Sequence, residues 1–448
     1  MPHKGDANHP TNEIAEFVEQ QPLFCAHSHI RTVQDWGKTP RDLRSLDVYA
    51  RGDLVSASGV RDFGETSIPR MEDPDFARRY FELWRQIRFT GYGKATEQAC
   101  RDLLGMEFRE ENAEAIGEAI GKLIGDDPRE SYCRILHEKA NLRWMSRDPI
   151  NMPDEITDES LPDEFIRSSY RDDKLLTIRS RTDVIEREER WKRSLHSVGD
   201  LVRGLNDSIS FYLATGKLTA FKIGVAYKRD LAFGEPTRHE AEKAFNKLMN
   251  VVPGEYVEVV DAPTVNAQSR VSSEELRPLQ DYLVHQFVRR AEEEDLLVQV
   301  HTGYLAGNNR VLCNIRAMAL VPFMLRYPRV RFDLFHAGWP YTEEHATIGK
   351  NIPNAYLDLC WMWAMNPVTA ENALDSWLAC VPFNKIVAYG GDISSPILEY
   401  GYARQARCGI GRVLQRWIDR GDMTLDDSKE VAEAIMLENP CKLHKLEP

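Results

Sequence analysis

Short apolar runs alternate with amphipathic helical segments through most of this 448-residue chain, and that alternation is what most restricts its fold. Strand candidates stand at 22–27, Leu142–Met145, Leu175–Ile178, Leu218–Val225, Leu296–Val300, Val330–Phe335, Ala355–Leu359 and Lys385–Tyr389. Helices are predicted over 11–21, 197–215, both sides of a polar stretch near 261–272, 309–326, 342–350, 370–379, 397–418 and 427–438. Strand–helix–strand alternation means a parallel sheet, because parallel neighbours need a crossover between them. Eight strands, most of them short and apolar, favour a closed (β/α)8 barrel over an open sheet, in one unit spanning 1–448. From Asp73 to Lys139 the apolar period becomes 3.6, through Phe76, Tyr80, Leu83, Trp84 and Ile87, then Ala113, Ile116, Ile120 and Leu123. A helical insertion at about 70–140, after the first strand, is the reading. Residues 31–65, rich in Arg, Asp, Gly and Ser, are predicted to be a long loop.

An apolar fraction of 42% suits a large core, and 28% charged residues suit a solvated surface. The formal charge of −13, with no basic tract, argues against nucleic acid or an anionic membrane as partner. No run approaches the ~18 apolar residues of a membrane span, and the polar N-terminus lacks a signal-like apolar stretch. The eight cysteines are scattered with no Cys-x-x-Cys pair, which points to free thiols in a reducing cytoplasm.

Chemistry enters at the strand ends. In Phe24-Cys25-Ala26-His27-Ser28-His29 the two histidines are two residues apart and share one face of a strand. Imidazole is the commonest protein ligand for divalent transition metals, so this is half a metal site. His301, His336 and Asp392 recur at or just beyond the ends of later apolar runs, where barrel enzymes carry their chemistry. Alternation supports the placement. If His301 points inward, Gln299 and Leu297 share its side; Gly390 and Ala388 share that of Asp392; and Ala220 and Gly224 share that of Lys222. Alternation from His336 puts Asp333 on the outer face, towards a helix.

This constellation resembles the amidohydrolase superfamily. His27-x-His29 after strand one, Lys222 in strand four, His301 after strand five, His336 after strand six and Asp392 after strand eight match its ligand order. The segments Val298-Gln-Val-His-Thr-Gly303, Phe335-His-Ala-Gly-Trp-Pro-Tyr341 and Tyr389-Gly-Gly-Asp392 are similar to the amidohydrolase-related branch, and the helical insertion resembles that of uronate isomerases. The resemblance implies that His27, His29, His301 and Asp392 hold a divalent metal, zinc foremost, with manganese or iron able to use the same donors. One ion per chain is favoured over two. It further implies that the metal activates water, that Asp392 takes the proton from it, and that His336 polarises the substrate or binds a second metal.

Lys222 is carboxylated in binuclear members; here, with Tyr227 and Arg229 close behind it, a grip on a substrate carboxylate is favoured. By analogy with the isomerases' insertion, Arg88 is a further substrate contact. The leading expectation is metal-dependent hydrolysis of a C–N or C–O bond in a small carboxylate-bearing substrate. Aldose–ketose isomerisation of a sugar acid comes second; metal-dependent decarboxylation or a non-catalytic binding barrel follow. A degenerate member should have lost at least one of the five His/Asp positions, and all are present. A homo-oligomer is consistent with such barrels, although no segment marks an interface.

Overall fold

The computed structural model describes residues 13–62, 65–66, 68–70, 72–150, 152–250 and 272–448. The polar head and nearly all of the polar stretch near 261–272 lie outside them. Eight parallel strands run in chain order around one sheet: β1 Leu23–Ser28, β2 Leu142–Arg147, β3 Ile166–Arg171, β4 Leu218–Ile223, β5 Leu297–Val300, β6 Phe332–Leu334, β7 Ala355–Asp358 and β8 Ile386–Val387. Backbone bonds from Ala26 N to Tyr389 O (2.9 Å) and Asp392 N to His27 O (3.0 Å) join the first strand to the segment after the last. The sheet thus closes into the expected barrel.

Two expectations need correction. The third strand is Ile166–Arg171, not 175–178, where the chain instead turns through a short helix, Asp173–Leu176. Leu175, Leu176 and Ile178 are apolar because they pack under the helices of the outer layer, a burial that an apolar run alone cannot tell from a strand. Residues 31–65 are not a plain loop: they carry helices at Val33–Gly37, Leu43–Ser45 and Ala50–Ser58. Trp36, Leu43, Leu46 and Leu54 anchor these short pieces in the core despite polar surroundings in sequence. The helical insertion therefore begins soon after β1, well before residue 70.

The alternation argument holds on β4 and β5. Phe221, Ile223, Val298 and Val300 face the outer helices, while Ala220 and Leu297 face the barrel interior. Asp333 is the exception to what alternation from His336 suggested. It points inward, accepting from Gln299 Nε2 at 3.3 Å. His336 lies in the left-handed region (φ 61°), so the period-two rule breaks between the end of β6 and that histidine. Burial pushes Asp333 up to about 7, and burial together with the Asp333 charge raises Asp358, on the neighbouring strand β7, well above its ordinary value.

Candidate metal centre

At the C-terminal mouth of the barrel, β1 ends in His27 and His29, and the turn after Tyr389 delivers Asp392 with φ 52°. His29 Nε2 lies 3.0 Å and His27 Nε2 3.5 Å from the same oxygen, Oδ1 of Asp392. The other oxygen, Oδ2, lies 3.5 Å from His336 Nε2, which is 3.1 Å from His301 Nδ1. All five groups are buried or nearly so; His29 is the most open, at 14%. His27, His29, His301, His336 and Asp392 are therefore brought together as the strand-end pattern anticipated.

Backbone carbonyls dictate the tautomers. Asp148 O accepts from His29 Nδ1 (2.9 Å), Tyr304 O from His301 Nε2 (3.1 Å) and Cys360 O from His336 Nδ1 (2.9 Å). Each of those nitrogens is a donor, so the opposite nitrogen of each ring carries a lone pair. The lone pairs on His29 Nε2 and His336 Nε2 face the Asp392 carboxylate, and that on His301 Nδ1 faces His336 Nε2. Acceptors facing acceptors at these distances repel unless a cation lies among them, and this donor set suits a divalent metal. The alternative occupant is a proton, and His29 shows the tendency: burial disfavours its charge, but Asp392 and Asp148 more than offset that, and its pKa is raised. Burial, with Lys222 and neighbouring rings, keeps His27 and His301 neutral, and His336 is pushed down to about 4 by burial above all. Burial also opposes ionisation of Asp392, yet His29, His336 and Lys222 outweigh it and its pKa falls below the usual carboxylate value.

Asp148 was missed by the sequence reading. It follows β2 immediately, as His301 follows β5, but the expected second strand stopped at Met145 and hid the equivalence. With His27 and His29 it forms a second triad of potential ligands; His336, Cys360 and Asp392 form another, each with ligand atoms within 4.8 Å of one another. Arg171 at the end of β3, also missed because that strand was misplaced, donates to Asp148 Oδ2 at 2.9 Å and to Asp173 Oδ2 at 2.6 Å. Burial raises the Cys360 thiol well above its ordinary pKa, so it stays protonated at the rim of the cluster.

Not every expected contact is here. Lys222 is fully buried, one layer below His301: it pairs in register with Gln299, and its Nζ sits 3.4 Å from the centre of the Phe335 ring. Burial and Arg171 push it down to about 8, and Nζ has no hydrogen-bond partner among the described residues. It lies under the donors rather than in the cavity that a substrate would enter. Tyr227 does line that cavity, with its ring 4.8 Å from His301 and its hydroxyl accepting from Ala306 N. Arg229 is held elsewhere, by Asp281 at 2.6 Å and Gln280 at 3.1 Å, and Arg88 is paired with Glu97 at 3.1 Å within the insertion. The structure brings neither arginine to the centre. The cavity, about 470 Å³, is lined instead by Arg179 and Arg310 among its cations, with Tyr49 and Asp392.

The amidohydrolase family model, Amidohydro_2, matches residues 253–446, the stretch that carries β5–β8 with His301, His336 and Asp392. Over that stretch, a little under half of the chain, the sequence resembles the amidohydrolase family. Within curated proteins it is similar to Protein fluG of Emericella nidulans, at 24% identity over 252 residues. That match takes in 54% of this chain but only 27% of the fungal protein, so the chain spans about a quarter of its relative's length. Among solved structures, uronate isomerase from Thermotoga maritima superposes with a TM-score of 0.74 at 14% identity, covering 99% of this chain and 100% of its own. Glucuronate isomerase from Caulobacter crescentus gives 0.72 at 17%, covering 100% and 98%. A Lactobacillus casei protein provisionally named a metal-dependent hydrolase gives 0.65 at 16%, covering 96% and 97%. At these identities the structural matches establish the fold alone, a barrel architecture shared with the two isomerases over nearly the whole chain. Among the described residues no helix is long and apolar enough to cross a membrane.

Proposed function

We propose that the chain is a metal-dependent enzyme acting on a small carboxylate-bearing substrate, with hydrolysis of a C–N or C–O bond as its reaction. The observation that carries this reading is a cluster of acceptor nitrogens, His29 and His336 facing the Asp392 carboxylate and His301 facing His336, beside a cavity with cations on its wall. His27, His29, His301 and Asp392 would hold one divalent ion, zinc foremost. When bound, that ion supplies Lewis-acid polarisation of a carbonyl and acidifies water.

The chain's own groups do the rest. Asp392 presents Oδ1 to the β1 histidines and Oδ2 to His336, so one oxygen serves the ion while the other can accept a proton and return it to a leaving group. His336, neutral and tied to Cys360 O through Nδ1, offers Nε2 as an acceptor beside the same oxygen. Arg179 has no partner for its side chain among the described residues and is placed to take the substrate carboxylate; Arg310, stacked 5.6 Å over Tyr227 and donating to Ala306 O at 2.6 Å, forms the adjoining wall. Tyr49 and Tyr304 pack in tilted contact against Trp361 beside the cluster and limit water there.

A second reading is aldose–ketose isomerisation of a sugar acid. The cavity wall favours it, since Asp173, Asp183 and Glu186 alternate with the cations and would suit several hydroxyl groups. Full-length likeness to two uronate isomerases agrees in architecture. The deciding experiment is turnover by zinc- or manganese-loaded protein in ¹⁸O-water, against N-acyl amino acids, lactones and hexuronates. Solvent oxygen in a cleaved product supports hydrolysis; a ketose without cleavage supports isomerisation. Protein that neither carries nor takes up metal rejects both.

A further inference from the structure

His29 and Ile150 each face two cavities. On one side is the 470 Å³ cavity just described; on the other is a separate one of about 370 Å³, whose wall includes Arg31, Asp35, Lys38 and Arg147. His29 and Ile150 together form the septum. Ile150 is 44% exposed and has φ 40°, a left-handed conformation that a β-branched residue rarely adopts. Its N–H donates to Asp148 Oδ1 at 2.8 Å, and the other oxygen of Asp148 is held by Arg171, so the carboxylate beside the metal cluster also holds the divider upright. Strain of this kind persists where the surroundings over-determine it, and it gathers at ligand clamps.

The charges in the second chamber are unequally committed. Arg147 is paired with Glu155 and donates to Ile30 O at 2.8 Å, and Asp148 is paired with Arg171. Asp35 accepts from the Thr32 hydroxyl at 2.9 Å. The side chains of Arg31 and Lys38, both exposed, have no partner among the described residues. The lining carries three cations and three carboxylates, but Arg31 and Lys38 are the cations without partners there, against one partly engaged carboxylate, Asp35.

We infer that the second chamber takes a carboxylate at the far end of the substrate, so that the substrate class is a small acid with an anionic group at each end and its reacting bond beside His29. This rests on the reading of the main cavity given above, and deepens it. The test uses full-length zinc-loaded protein, titrated by calorimetry or ligand-observed NMR with succinate, glutarate and adipate, and with butyrate as the one-ended comparison. A charge-assisted contact predicts that at least one dicarboxylate binds about tenfold more tightly than butyrate. Arg31→Ala with Lys38→Ala should erase that advantage and leave butyrate binding unchanged, whereas Arg179→Ala should weaken both classes. Both chamber positions are exposed, so the double variant should fold, as circular dichroism would confirm. Butyrate binding that depends on Arg179, with no dicarboxylate gain or with a gain that survives the double variant, overturns the second chamber alone. If neither class binds, the carboxylate reading of the main cavity falls, and the second chamber with it.

Discussion

The two ends of the barrel are built from the same strands and have opposite chemistry. At the N-terminal end Phe24, Ala26, Trp144, Ala220, Leu297 and Val387 form an apolar plug, covered by Leu437, Cys441 and Leu443 from the end of the chain. The helix Asn439–His444 seats it: Trp144 Nε1 donates to Glu447 O at 2.7 Å, and the His444 ring lies 4.9 Å from Phe24. At the C-terminal end the same inward-facing rows turn polar, as Ala220 gives way to Lys222, and Leu297 to Gln299 and then His301. Period two keeps each row pointing inward, so one strand supplies an anchor and, two or four residues later, a functional group. Buried apolar area stabilises one end at about 25 cal/mol per Å². The other end holds groups that disfavour burial and are tolerated because the plug offsets them.

That contrast can be broken from either side. The largest effect is expected at the polar end. Asp392→Asn removes the charge that the His29 and His336 lone pairs face, and turnover should fall by about 10³-fold or more. Metal per chain should fall with it while the far-UV spectrum is kept; full metal occupancy and normal turnover would sink the centre drawn here. At the apolar end, Leu297→Ala should cost about 2–5 kcal/mol in urea unfolding with kcat unchanged in the protein that remains folded. A catalytic loss without a stability loss there would show that the two ends are not separable.

A third change lies between the ends. Glu399 is fully buried, and Gly391 passes so close that a Cβ there would meet its carboxyl oxygens at 2.2 Å. Burial pushes Glu399 up to about 7, against the hydrogen bonds of Tyr389, Ser28 and Cys25. The Ser28 hydroxyl donates to Glu399 Oε2 at 2.7 Å and also lies within donating distance, 2.8 Å, of Ile393 O. With a folded pKa raised above the unfolded value, folding takes up a proton between the two, so this group's contribution falls as pH rises from 4.5 to about 7 and stays low above it. Glu399→Gln should therefore raise stability by about 1–3 kcal/mol near pH 8 and add almost nothing near pH 4. An equal gain at both pH values would mean that the carboxyl is ionised throughout. The smallest effect is expected at the cavity wall: Arg179→Ala should raise KM about tenfold with little change in kcat, as loss of a binding contact does. A fall in kcat alone would move Arg179 from binding to chemistry.

Much of the barrel could be read before any coordinates because it rests on periodicity. Seven of the eight strands fall at or near the apolar runs, and His27, His29, His301, His336 and Asp392 share one mouth because strand ends in a parallel barrel must. The failures occur where local pattern carries no distance information. Leu175–Ile178 is as apolar as a strand, and Arg229 is as close to Lys222 in sequence as a substrate grip would be. Only the packed fold shows the first beneath helices and the second against Asp281.

Asp148, Arg171 and Glu399 had no motif to announce them. Each is a single polar residue whose meaning comes from partners that lie far along the chain, such as His27 for Asp148 and Ser28 for Glu399. A repeating pattern of side chains follows from backbone geometry within a few residues, so it is written locally. The pKa of a buried carboxyl, the tautomer of a ring and the wall between two cavities depend on atoms from several strands, and they exist once the barrel has closed.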